Sequence, residues 1–96
     1  MTLTPSSYVI AYDLYKPGQA YDRLAEKIKT IPTWCRILRS TWIVKTPFTS
    51  QEIFNLVQPA LDPNDRIFIS KIDLATSEWF LDSSIASYIN ELTNSI

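Results

Sequence analysis

The stretch Tyr8-Val9-Ile10-Ala11-Tyr12-Asp13-Leu14 constrains the fold more than any other part of this 96-residue chain. Six of its seven residues are apolar or aromatic, with β-branched Val9 and Ile10 among them, so it reads as a strand buried on both faces. Alternation sends Tyr8, Ile10, Tyr12 and Leu14 to one face and Val9, Ala11 and Asp13 to the other. One face should meet helices, and the other needs a second cover. Asp13 is the exception to the apolar pattern. A carboxylate at the carboxyl end of a central strand, ahead of a loop and a helix, either orders that loop or serves as a metal or acid/base site.

The remaining elements follow from periodicity and punctuation. Tyr15 to Gln19 form a turn, with Pro17 ending the extended run and Gly18, the single glycine of the chain, free to take positive φ. Tyr21, Leu24, Ala25, Ile28 and Ile31 then fall at helical spacing between charged residues, and Pro32 supplies the stop. Trp34 to Pro47 is rich in β-formers and reads as two strands joined at Ser40 and Thr41, or as one long bent strand. Thr49-Ser50-Gln51-Glu52 is a capping box, so a helix starts near Ser50, and Pro59 shortens or kinks it. After the turn Asp62-Pro63-Asn64-Asp65, Arg66 to Ile72 reads as a fourth strand, and Ile85, Tyr88, Ile89 and Leu92 predict a terminal helix over about 83–92.

This order predicts an α+β fold, a ferredoxin-like βαββαβ antiparallel sheet with both helices on one face and an appended C-terminal helix. The length allows one domain, 1–96, with a core over about 7–72 and an appendage over 73–96. The other sheet face is then expected to be open. Since the first and fourth strands read as apolar on both sides, that face predicts a homodimer interface, to which Trp34, Trp42 and Trp79 can contribute.

Composition narrows the chemistry. The absence of histidine removes His-based triads and Cys/His zinc sites, and the lone Cys35 has no internal disulfide partner and suits a buried apolar position. One glycine leaves no phosphate-cradling Gly-rich loop. Nine basic and ten acidic residues give a net charge of −1, so nucleic-acid binding would require a local patch. Neither a leader-like start nor an apolar run long enough to span a membrane is visible, and the expectation is a cytoplasmic protein with no membrane partner.

The strand ending in Tyr12-Asp13, the helix after it, Arg36 to Val44 and the closing strand Arg66 to Ile72 resemble the small CRISPR-associated "protein two" family and its relatives, the virulence-associated protein D toxins. The resemblance implies a ferredoxin-like homodimer. In some members the aspartate ending the first strand serves a metal-dependent nuclease, and other members are structural parts of DNA-integrating complexes. This chain departs from the pattern at Leu14-Tyr15-Lys16-Pro17-Gly18, where the family often has a polar, basic stretch, and in its predicted terminal helix, where the family commonly has a short strand.

Two readings stand for the polar residues. In the first, Asp13 is a catalytic ligand for Mg or Mn, shared across a dimer axis or completed by Asp65 or Asp73, and the ion activates water against RNA or DNA. Lys16, Arg36, Arg39 and Lys45 would hold phosphate, aided by Ser40 and Thr41, and Tyr12, Tyr15 and Tyr21 would stack on bases or donate to a leaving oxygen. In the second reading Asp13 orders its loop, the basic residues are solvated strand charges and the tyrosines are core. The chain is then a non-catalytic dimeric module, antitoxin-like, that acts on a protein partner.

Overall fold

The computed structural model describes residues 4–15 and 19–94. In chain order these form β1 (Ser6–Asp13), α1 (Gln19–Ile28), β2 (Thr33–Leu38), β3 (Thr41–Thr46), α2 (Ser50–Val57), a 3-10 turn (Gln58–Ala60), β4 (Arg66–Ile72), a second 3-10 turn (Leu74–Thr76) and α3 (Ser83–Asn94). The four strands make one sheet in the order β2-β3-β1-β4, with antiparallel neighbours throughout. The sheet is open and the fold is α+β. No helix among the described residues is long and apolar enough to cross a membrane.

The two-sided burial of β1 follows from its place inside the sheet, with β3 on one flank and β4 on the other. Tyr8, Ile10, Tyr12 and Leu14 join Trp42 and Val44 against α1 and α2, where Leu24, Ala25, Ile28, Ile31, Ile53 and Val57 complete the larger core. Ile31 lies beyond the last turn of α1 and is still fully buried. Pro59 has no N–H to continue the α-helical ladder, and α2 accordingly tightens into the 3-10 turn at Gln58. The capping box at the start of α2 is formed in both directions: Thr49 Oγ1 accepts from the Glu52 N–H at 3.1 Å, and Glu52 Oε1 accepts from the Thr49 N–H at 2.9 Å.

The second face of the sheet is not left open as the sequence reading expects. α3 and the segment leading to it fold back over it, and Cys35 and Ile43 are buried there with Leu74, Ile89 and Leu92, with Val9, Ile72, Trp79 and Ile85 packed around them. A helix of this amphipathic pattern needs an apolar surface, and the nearest one is the face that β1 and β3 leave uncovered. The cover is partial. Beyond it the same face continues as Leu38, Ala11 and Phe68, with Leu38 55% and Phe68 64% exposed.

The three tryptophans divide accordingly. Trp42 is fully buried on the helix side and Trp34 packs beside it, their ring centroids 5.4 Å apart, while Trp79 belongs to the smaller cluster under α3. β2 and β3 are joined by a tight hairpin at Arg39 and Ser40, with an irregularity between Arg36 and Leu38. β4 pairs only with β1 and is an edge strand, which is why its apolar residues are half-buried where those of β1 are enclosed.

Candidate functional site

Asp13 closes β1 at the end of the sheet where β4 begins, and its register partner is Arg66. Its carboxylate is exposed and makes no hydrogen bond or ion pair with another described residue. Arg66 itself is anchored locally, donating to the carbonyls of Asp65 at 3.0 Å and Pro63 at 3.4 Å.

The two aspartates expected to complete a metal site have other duties. Asp65 lies at the same end as Asp13, but its Oδ1 accepts from the Tyr15 N–H at 2.7 Å and its Oδ2 from the Asp62 N–H at 2.7 Å. It ties the loop after β1 to the turn before β4. Asp73 caps the 3-10 turn that follows β4, accepting from the Ala75 N–H at 2.9 Å, while its carbonyl takes the hydroxyls of Thr76 and Ser77. Because β4 is antiparallel to β1, Asp73 sits at the opposite end of the sheet, about 20 Å from Asp13 at roughly 3.3 Å per strand residue. No group of three or more Cys, Asp or Glu side chains that could hold a metal ion exists among the described residues.

The expected phosphate-binding residues are also dispersed. Arg36 turns back on its own hairpin: its Nε and Nη2 donate to the Arg39 carbonyl at 2.9 and 2.6 Å, and its guanidinium lies 5.2 Å from the Trp42 ring centre. Lys29 stacks in the same way on Trp34 at 5.4 Å, so two cations flank the Trp34–Trp42 pair. Lys45 faces the other side and donates to the Leu92 carbonyl of α3 at 3.2 Å, near the helix C-terminus, where a cation is favoured. Arg39 is exposed at the hairpin tip. Lys16 and the side chain of Tyr21 lie outside the described residues. Arg36 and Lys45 therefore stand on opposite faces of the sheet and do not join into one basic patch.

The tyrosines separate in the same manner. Tyr12 is buried, and its hydroxyl accepts the Trp42 indole N–H at 2.8 Å, which makes it a core residue; Tyr15 is exposed beside the Asp65 anchor. Ser40 gives its carbonyl to the Tyr12 N–H at 3.0 Å, so it serves the hairpin. Burial raises the Cys35 thiol above its ordinary pKa, which keeps it protonated and unreactive.

What sequence reasoning misses lies on the second face. Where the cover formed by α3 and its leading segment ends, an apolar groove of about 210 Å³ opens between the sheet and that segment. Val9, Ile43 and Ile72 form its floor, Leu74, Trp79 and Leu81 its walls, and Ser77 and Glu78 line it as well. Beside it Phe80 is fully exposed. The signal available in the sequence is the triplet Trp79-Phe80-Leu81 set between polar residues, too short for periodicity to assign to a face. Against protein-family models, curated proteins and solved structures, the chain has no match.

Proposed function

We propose that this chain is a ferredoxin-like, cytoplasmic interaction module that works through protein contacts rather than by catalysis. The resemblance to the CRISPR-associated "protein two" family supports the fold assignment, as does the strand order β2-β3-β1-β4 with α1 and α2 on one face. One observation carries the functional reading. The polar candidates are spent on the fold, Asp65 and Asp73 on turns, Arg36 on its hairpin and Lys45 on α3, while large apolar side chains stand in solvent at Leu38, Phe68 and Phe80. Leu38 and Phe68 lie in one cross-strand row of the second face, and exposed apolar groups set together on a small domain mark an interaction surface.

Self-association is part of this proposal. The uncovered strip Leu38, Ala11 and Phe68 offers a second copy an apolar centre, and a stable dimer requires roughly 800 Å² from each partner. In sedimentation equilibrium the chain is expected to dimerise, and Phe68→Ser is expected to weaken the dimer about tenfold while leaving the unfolding midpoint unchanged at concentrations where the chain is monomeric. A chain that stays monomeric at every concentration tested overturns the homodimer.

A second reading rests on Asp13, an exposed carboxylate at the carboxyl end of a central strand with no side-chain partner among the described residues. In it the protein cleaves RNA or DNA with Mg or Mn, with Asp13 as the metal ligand and Lys16, Arg36, Arg39 and Lys45 near phosphate. Nuclease assays with each metal separate the two readings. The module reading expects no cleavage and no steep salt dependence of nucleic-acid binding; metal-dependent cleavage that is lost in Asp13→Ala overturns it.

A further inference from the structure

The apolar groove on the second face has a size, a lining and a charge setting that together define its occupant. At about 210 Å³ it falls short of the roughly 300–1,000 Å³ of pockets that enclose a whole cofactor or metabolite. It exceeds the roughly 150 Å³ void that accepts a benzene ring, so one aromatic or branched aliphatic side chain fills it. Single anchors of this kind, set in a desolvated pocket, supply most of the energy of many protein contacts.

Charge selects what surrounds the anchor. All nine basic residues of the chain precede Ile72, and the part from Asp73 onward carries Asp73, Glu78, Asp82 and Glu91 with no base. That acidic part is the cover which forms one side of the groove, with Glu78 lining it and Asp73 and Asp82 exposed at either end of the wall segment. Lys45, a base on the sheet side of this face, is held by the Leu92 carbonyl two strands away from Ile72. An anchor flanked by acidic residues meets repulsion there, and one flanked by lysine or arginine meets attraction. Phe80, fully exposed beside the walls formed by Trp79 and Leu81, adds an aromatic surface on which a cationic side chain can lie.

We propose that this groove binds a basic segment of a partner protein that inserts one aromatic or branched aliphatic anchor between the sheet and the segment before α3. The inference rests on the interaction-module reading and names the chemistry of its partner. Ile43 and Ile72 hold the anchor, Glu78 and Asp82 face its basic flanks, and Phe80 covers its stem.

The test uses the full chain and three labelled peptides, Lys-Lys-Phe-Lys-Lys, Lys-Lys-Ala-Lys-Lys and Glu-Glu-Phe-Glu-Glu, followed by fluorescence anisotropy and by NMR shifts of the Ile43 and Ile72 methyls and the Trp79 indole. The first peptide is expected to bind about tenfold more tightly than either of the others and to move those signals. The surface variant Glu78→Lys/Asp82→Lys, with circular dichroism matching the wild type, is expected to lose that preference for the basic peptide. Equal binding of the Phe and Ala peptides overturns the anchor, and an unchanged preference in the charge-reversed variant overturns the electrostatic selection. Binding of phenethylamine but of no peptide at the same signals would make the groove a small-molecule site and overturn the proposal. Peptide binding mapped to Phe68 and Leu38 instead would overturn the groove alone and leave the interaction-module reading standing.

Discussion

Tyr12 and Trp42 show how a single polar contact is held inside the larger core. Trp42 is fully buried, and its indole N–H reaches the Tyr12 hydroxyl at 2.8 Å across adjacent strands. Tyr12→Phe preserves the ring and removes the acceptor, leaving a buried donor unsatisfied at a cost of about 1–3 kcal/mol. The expected result is a lower urea midpoint with an unchanged m-value. Cys35 gives a second measurable effect. Its thiol is raised by burial, so the folded chain holds this proton more tightly than the unfolded chain. That contribution to stability is complete below the ordinary thiol pKa of about 8.5 and is lost as the pH rises through the folded value. Stability is therefore expected to decline above about pH 8.5, and Cys35→Ala is expected to flatten that decline in pH-dependent urea titrations. Residue by residue, the sequence was readable where chemistry is local. The buried character of Cys35 and the capping residues Thr49 and Glu52 follow from neighbours a few positions away. The duties of Arg36 and Lys45 do not, because each is set by a carbonyl that the fold delivers.

Among the elements, the helices with clear apolar stripes were legible, and so were the strands bounded by proline or turn residues. The reading of Pro59 as a shortening device agrees with the change to a 3-10 turn at Gln58. Two strands joined near Ser40 and Thr41, the first alternative for residues 34–47, are what the hairpin contains. β4 reads as apolar on both faces, and Phe68 stands exposed on the face expected to be open, at the edge of the sheet. α3 was legible as a helix but not as a cover. Its periodicity gives an apolar face and says nothing about which surface that face meets. Ile89 is central to that contact and almost wholly buried. Ile89→Ala is expected to cost about 2–5 kcal/mol, measured as a lowered unfolding midpoint, because it opens a void between α3 and the sheet. A loss below 1 kcal/mol would show that α3 contributes little to the stability of the fold.

Across the whole molecule, the two faces of one sheet have different fates. The first is sealed by α1 and α2, and the second is covered by α3 only in part, which leaves both the strip at Leu38 and Phe68 and the groove at Ile43 and Ile72. The division of charge, basic before Ile72 and acidic after it, places the acidic part over that second face. Sequence alone determined the class of fold, because the apolar run of β1 and the alternation of strand and helix signals are local properties that survive without knowledge of distant partners. It also determined what chemistry is excluded by having no histidine and one glycine. Only the tertiary structure decided which carboxylates meet. Asp13 and Asp73 are both strand-end aspartates in the sequence, and antiparallel pairing of β1 with β4 puts them at opposite ends of the sheet. The second cover of β1 was decided in the same way. The strand specifies that its far face must be buried, but whether a second chain or the chain's own terminal helix buries it depends on where the backbone returns.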